Sequence, residues 1–152
     1  MMDIIFTRID NRLLHGQVVE SWLPQIKAQE VVIVSREAAS SRLMQKMLRL
    51  ALPPSYGLHI FDETAAAKYL EGQSAQKVFL LIDGFEALAS LIKDGVKFEK
   101  VNIGNTEYQE GKKEYSQGIY LSEKEVPLVK DLAKTVKFDV RALPASLSKR
   151  LF

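Results

Sequence analysis

Two unbroken apolar runs, Val31-Val32-Ile33-Val34 and Val78-Phe79-Leu80-Leu81-Ile82, constrain the fold of this chain more than any other feature. A strand wetted on one face alternates apolar and polar side chains. Runs with no such alternation fit strands covered on both faces, which a parallel sheet flanked by helices requires. Further strands read from Asp3 to Ile9, Leu58 to Phe61 and Val101 to Ile103, with two short ones at Gly118 to Leu121 and Lys137 to Leu143. Apolar residues recur at helical spacing from about Gln17 to Lys27, Ser40 or Ser41 to Leu50, Thr64 to Leu70, Phe85 to Lys93 and Glu123 to Thr135. Ser122 and Glu125 have the spacing of a capping box for the last helix, whereas Pro24 must either bend the first or end it near Leu23. The alternation predicts an α/β protein with a doubly wound, mostly parallel sheet and helices on both faces.

The 152 residues suit a single domain over the whole chain, with no repeats, low-complexity tracts or linkers. With 21 basic and 19 acidic residues the net charge of +2 is too balanced for a general nucleic-acid or anionic-membrane binder. There are no cysteines, which excludes disulfides, thiolate metal sites and cysteine nucleophiles, and two histidines are too few for most histidine-rich metal centres. No metal and no cofactor are expected. No window approaches the roughly 18 apolar residues of a membrane span, and no leader precedes the first strand, so a soluble, cytoplasmic protein is expected.

Chemistry concentrates in Arg8-Ile9-Asp10-Asn11-Arg12-Leu13-Leu14-His15-Gly16-Gln17. His15 falls at the turn from the first strand to the first helix. A helix start offers unpaired N–H groups and Arg8 and Arg12 add forked cationic donors, so the turn suits a phosphoryl group beside a nucleophilic imidazole. A lone histidine is ordinarily a surface or core-edge residue, but the flanking cations are poorly explained that way. Burial and the two arginines would disfavour the imidazolium and keep the ring nucleophilic. Asp10 reads either as an Asx loop residue or as the group that orients His15 or tethers an arginine. In phosphoryl transfer the arginines would neutralise the equatorial oxygens, Arg12 closest and Arg8 second. Gly16 either eases the turn or lets backbone N–H groups, with Gln17 next to it, approach a phosphate.

The string Arg8 to Val18 closely resembles the phosphorylation-site motif of the IIB subunits of mannose/sorbose-class bacterial sugar phosphotransferase systems, and the similarity continues through Val101 to Lys113 toward the C-terminus. The resemblance implies a sheet of about seven strands. It also implies that His15 accepts phosphate, on Nδ1, from the phosphohistidine of a IIA partner and passes it to a sugar arriving through membrane IIC and IID subunits. Asn11, where the family more often has an acidic residue, and the pair Thr106-Glu107 depart from the pattern and leave the sugar open.

Ligands of open α/β sheets bind beyond the carboxyl ends of the strands. Asp83-Gly84 after the fourth strand and Gly104-Asn105 after the fifth therefore share a crevice with His15 if these strands are neighbours. Gly111-Lys112-Lys113 lacks both the upstream glycine and the Ser/Thr of a phosphate-binding loop, so no nucleotide site follows and the lysines read as a solvated basic edge. His59 lacks cationic neighbours and reads as structural. Trp22, Leu23 and Ile26 share helical spacing with Val18 and Val19 and read as core. The leading function is a phosphoryl carrier with an exposed His15. The alternatives are a regulatory module that holds a phospho-ligand without covalent chemistry, and an enzyme using His15 as a general base, for which the chain offers no second catalytic dyad.

Overall fold

A computed structural model describes residues 1–152. In chain order the elements begin with β1 (Asp3–Asp10), a π-helical turn (Val18–Trp22) continuing into α1 (Leu23–Ile26), β2 (Glu30–Val34), α2 (Arg36–Ala39) and α3 (Arg42–Ala51). β3 (Gly57–Phe61), α4 (Glu63–Glu71), β4 (Lys77–Ile82), α5 (Phe85–Lys93) and β5 (Lys100–Asn105) follow. The chain closes with β6 (Lys113–Ser116), β7 (Ile119–Leu121), α6 (Glu125–Leu132), β8 (Lys137–Val140) and β9 (Lys149–Arg150). One sheet has the order β3-β2-β4-β1-β5-β8-β9, parallel throughout except for the β8–β9 pair, and has the doubly wound α/β architecture expected.

The apolar runs are unbroken because neither face of their strands meets water. Val32, Val34, Val78, Leu80 and Ile82 pack into a core with Ala66, Leu70, Phe85, Leu88, Leu91 and Val129 from α4, α5 and α6. Their sequence neighbours Val31, Ile33, Phe79 and Leu81 point the other way, toward Val18, Leu23, Ala38 and Leu48. Each is fully buried, and burial of a side chain of this size contributes about 1.5–3 kcal/mol.

Four local features depart from the sequence reading. The first helix is a widened turn, in which the Leu23 N–H bonds Val18 O, and then a single α-turn. The widening comes just before Pro24, which has no N–H and whose ring would strike the carbonyl one turn back. The strand expected at Gly118 to Leu121 pairs with β6 in a separate antiparallel hairpin, turned at Gly118 with φ +78, so the seventh strand of the sheet is the two-residue β9 instead. The strand expected to reach Leu143 stops at Val140, because the next residues leave the sheet and turn their carbonyls toward Arg8. The last helix is shorter than expected, although Ser122 and Glu125 do exchange the reciprocal bonds of a capping box, both at 3.1 Å.

The order β4-β1-β5 sets three loops side by side at the carboxyl edge of the sheet: the one carrying His15, the one at Asp83 and the one at Asn105. Two bonds tie the first and last, Asn11 N–H to Asn105 O at 3.2 Å and Asn105 Nδ2 to Asn11 Oδ1 at 2.6 Å.

Candidate active site

The loop after β1 is held by its apolar residues and presents its polar ones. Leu13 and Leu14 are buried in the smaller core, and Leu13 has the left-handed φ of +58 as its N–H closes a turn onto Asp10 O at 3.0 Å. A leucine in that conformation costs about 1–2 kcal/mol, offset by burial of its side chain. The turn delivers His15 to the point where helical bonding starts, its carbonyl accepting from both Val18 and Val19 at 3.0 Å. The N–H groups of Gly16 and Gln17 precede the first helical bond.

Asp10 organises the site. Its side chain is wholly buried, with Oδ2 receiving His15 Nε2 at 2.8 Å and Arg8 Nη2 at 3.1 Å, and Oδ1 receiving the Arg12 backbone N–H at 3.0 Å. Burial by itself would raise this carboxyl. The hydrogen bond from His15, the charges of Arg8 and His15, and the Arg12 N–H outweigh it and hold Asp10 below the usual carboxylate range. An ionised carboxylate only accepts, so Nε2 carries a proton, and in the neutral ring the lone pair is then on Nδ1. Nδ1 has no partner in the protein, and no buried side-chain nitrogen or oxygen lacks one, so Nδ1 opens to solvent. The ring is less exposed than the sequence suggested, its side chain 18 % accessible.

The two arginines separate. Arg8 is wholly buried and turned inward, away from the phosphate role expected of it; burial lowers its pKa from the guanidinium range, partly offset by Asp10. Arg12 is the exposed cation, 46 % accessible, with Nε 3.6 Å from Asp10 Oδ1 and Nη2 3.4 Å from Gln17 Oε1. A side chain at Gly16 would meet nothing within 4 Å and its φ is not positive, so neither space nor turn geometry demands glycine there. Gly104 is different: a Cβ would lie 1.8 Å from Arg8 Nη2, so this glycine makes room for the buried guanidinium.

Asp83 and Gly84 line a neighbouring cleft of about 800 Å³ with Arg36, Glu63, Thr106 and Lys112. It meets the β1 loop at Asn11, and His15, Arg12, Gly16 and Gln17 lie outside its lining. Burial, with Glu63 and Glu37 nearby, raises the Asp83 carboxyl against a bond from Ser35. Lys112, read as a solvated edge, is instead half-buried and paired with Glu125 at 3.2 Å. His59 lies on β3, 4.7 Å ring to ring from Tyr69 and 3.9 Å from Glu30. Sequence reasoning missed Asn102, whose Oδ1 accepts from Arg8 Nη1 at 2.6 Å. It also missed the carbonyls of Arg141 and Ala142, and the polar role of Trp22, whose Nε1 donates to Ala142 O at 2.8 Å. A polar residue inside the apolar run Val101 to Ile103 was the one available signal.

The architecture and sequence have known counterparts. The family model described as "PTS system sorbose subfamily IIB component" matches residues 4–151. The sorbose-specific EIIB component of Lacticaseibacillus casei is 32% identical over 145 residues, covering 93% of this chain and 88% of that protein. The N-acetylgalactosamine-specific phosphotransferase enzyme IIB component 1 of Escherichia coli K12 is 32% identical over 127 residues, covering 82% and 80%. The crystal structure of the IIBSor domain of the sorbose permease from Klebsiella pneumoniae superposes with a TM-score of 0.91 at 26% identity, over 97% of this chain and 93% of that one. The seven-stranded sheet and the match along nearly the whole chain agree, and the chain belongs to the sorbose-subfamily IIB components of the sugar phosphotransferase system.

Proposed function

We propose that this protein is a phosphoryl carrier that takes a phosphoryl group onto His15 Nδ1 from the phosphohistidine of a IIA partner and delivers it to a sugar presented by membrane IIC and IID subunits. The observation that carries the reading is the 2.8 Å bond from His15 Nε2 to the buried Asp10, which in the neutral ring directs the lone pair to the solvent-facing nitrogen. In the first step the donor's N–P bond breaks, its electron pair stays on the donor imidazole, and the Nδ1 lone pair forms the new N–P bond. The His15 ring becomes cationic as that bond forms. Asp10, already ionised and fixed, stabilises the new charge without reorganising, so the attraction grows toward the transition state. Arg12 is the guanidinium near enough to solvent to hydrogen-bond the transferring oxygens. In the second step the sugar hydroxyl oxygen attacks phosphorus, Nδ1 recovers its pair, and the hydroxyl proton leaves to solvent. Work on the cytoplasmic side of a membrane suits this role, and no helix of the chain is long and apolar enough to cross one.

The test is incubation with phosphoenolpyruvate, the general phosphocarrier proteins and a IIA domain, followed by mass spectrometry under alkaline conditions. Acid-labile, alkali-stable phosphate on His15 that disappears in His15→Ala and persists in His59→Asn is the expected result. Tight phosphate binding with no covalent label would favour the regulatory-module alternative.

A further inference from the structure

The Arg8 guanidinium has five N–H bonds, and all five are used. Nε and Nη2 donate to Asp10 Oδ2 at 3.4 and 3.1 Å, Nη2 also to Ala142 O at 3.2 Å, and Nη1 to Asn102 Oδ1 at 2.6 Å and Arg141 O at 3.0 Å. No donor remains for a phosphate. Three of the five point away from Asp10, to β5 and to the segment just beyond β8. That segment is itself fixed. The Ala142 carbonyl also accepts from Trp22 Nε1 at 2.8 Å, and Asn102 Nδ2 donates to Asp139 O at 3.0 Å and Arg141 O at 3.4 Å. The Asp139 carboxylate grips the Arg141 side chain at 2.8 and 2.9 Å and also takes a bond from Ser148. The guanidiniums of Arg8 and Arg141 lie 5.2 and 5.5 Å from the Trp22 ring centre.

We infer that Arg141-Ala142 is a strap that sets the His15 ring from the far end of the chain, and that Trp22 and Asn102 are the positioning residues through which it acts. The chain of cause runs through hydrogen bonds alone. The strap carbonyls and Asn102 satisfy the buried donors of Arg8; Arg8, so held, aims two donors at one oxygen of Asp10; that oxygen holds Nε2–H of His15 and so selects the tautomer whose lone pair is on Nδ1. Loosening the strap leaves Arg8 with unpaired buried donors, and it must turn to find others. Asp10 then moves with Arg8 or loses its partner, and in either case the ring is free to exchange tautomers. Gly104 belongs to the same device, since any side chain there would occupy the slot that Arg8 fills.

The inference deepens the phosphoryl-carrier reading of His15, but its main readout does not need phosphoryl transfer. The experiment is nitrogen-15 NMR of the His15 ring in the unphosphorylated protein, with thermal unfolding and the pH profile of phosphoryl acceptance measured on the same samples. Trp22→Phe keeps an aromatic ring and removes the indole N–H, and Asn102→Ala removes the link between Arg8 and the strap. The control is Val101→Ala, a fully buried neighbour on β5 whose apolar side chain belongs to the larger core and forms no hydrogen bond. The wild type and Val101→Ala are expected to show the Nε2–H tautomer. Trp22→Phe and Asn102→Ala are expected to show a mixture of tautomers and a roughly tenfold slower acceptance, equivalent to about one lost hydrogen bond. Folded strap variants that keep a single Nε2–H tautomer and the wild-type pH profile would overturn the inference, whatever their melting temperature. An equal tautomer shift in Val101→Ala would overturn it as well, because it would mark a general response to destabilisation.

Discussion

Replacing Asp10 with asparagine separates the two tasks assigned to that carboxylate. Asparagine keeps the shape and one acceptor, but loses the charge that faces buried Arg8 at 3.1 Å and His15 Nε2 at 2.8 Å. Removing one member of a buried ion pair typically costs about 3–5 kcal/mol; the retained acceptor places this variant near 3 kcal/mol. A hydrogen bond to a charged group is worth about 1.5–3 kcal/mol, so loss of the term that strengthens as the ring becomes cationic slows transfer about 10- to 100-fold. The folded protein holds the Asp10 carboxyl lower than the unfolded chain does. Its contribution to stability is therefore present above the unfolded value of about 3.9 and is lost as pH falls through the lower folded value. Wild type and Asp10→Asn should differ at neutral pH and converge in strong acid. The assays are quenched-flow transfer from a phosphorylated IIA donor and thermal unfolding across pH. A folded Asp10→Asn protein that accepts phosphate at the wild-type rate would refute the proposed role of Asp10.

Arg12→Lys, which keeps the charge but not the planar fork, should slow transfer about 10- to 100-fold while shifting stability by no more than about 0.5 kcal/mol, since the side chain is 46 % accessible; wild-type rates for both Arg12→Lys and Arg12→Ala would reduce it to a surface charge. Asn105→Ala removes the 2.6 Å tie to Asn11 and should slow transfer about 3- to 10-fold, more than the exposed Lys68→Ala. Asp83→Asn should raise the melting temperature at pH 7 but not at pH 3, because a carboxyl raised by burial and by Glu63 disfavours folding only when pH exceeds its unfolded value; an unchanged difference between the two pH values would contradict this.

The central sheet was legible because Val31 to Val34 and Val78 to Ile82 carry their burial in their own composition, and Phe85 to Lys93 was read with its observed bounds. The β6–β7 hairpin and β9 were not. Lys113–Ser116 and Lys149–Arg150 are polar, short and stabilised by pairing, which no single-segment pattern encodes. At the site, the motif around His15 marked the loop on which the polar cluster is built, but two arginines four residues apart look alike in a sequence. Only strand geometry decides that Arg8, on β1, faces inward while Arg12, in the loop, meets solvent. The carbonyls of Arg141 and Ala142 lie more than 130 residues away and carry no side-chain signature at all.

The most direct measurement is the identity of the phosphorylated nitrogen. With nitrogen-15 in the imidazole ring, phosphorus–nitrogen coupling in the intact phosphoprotein at alkaline pH distinguishes Nδ1 from Nε2. A single phosphoryl group on His15 Nδ1, with Nε2 still protonated against Asp10, is the predicted result. Phosphate on His15 Nε2, or on His59, would contradict the account.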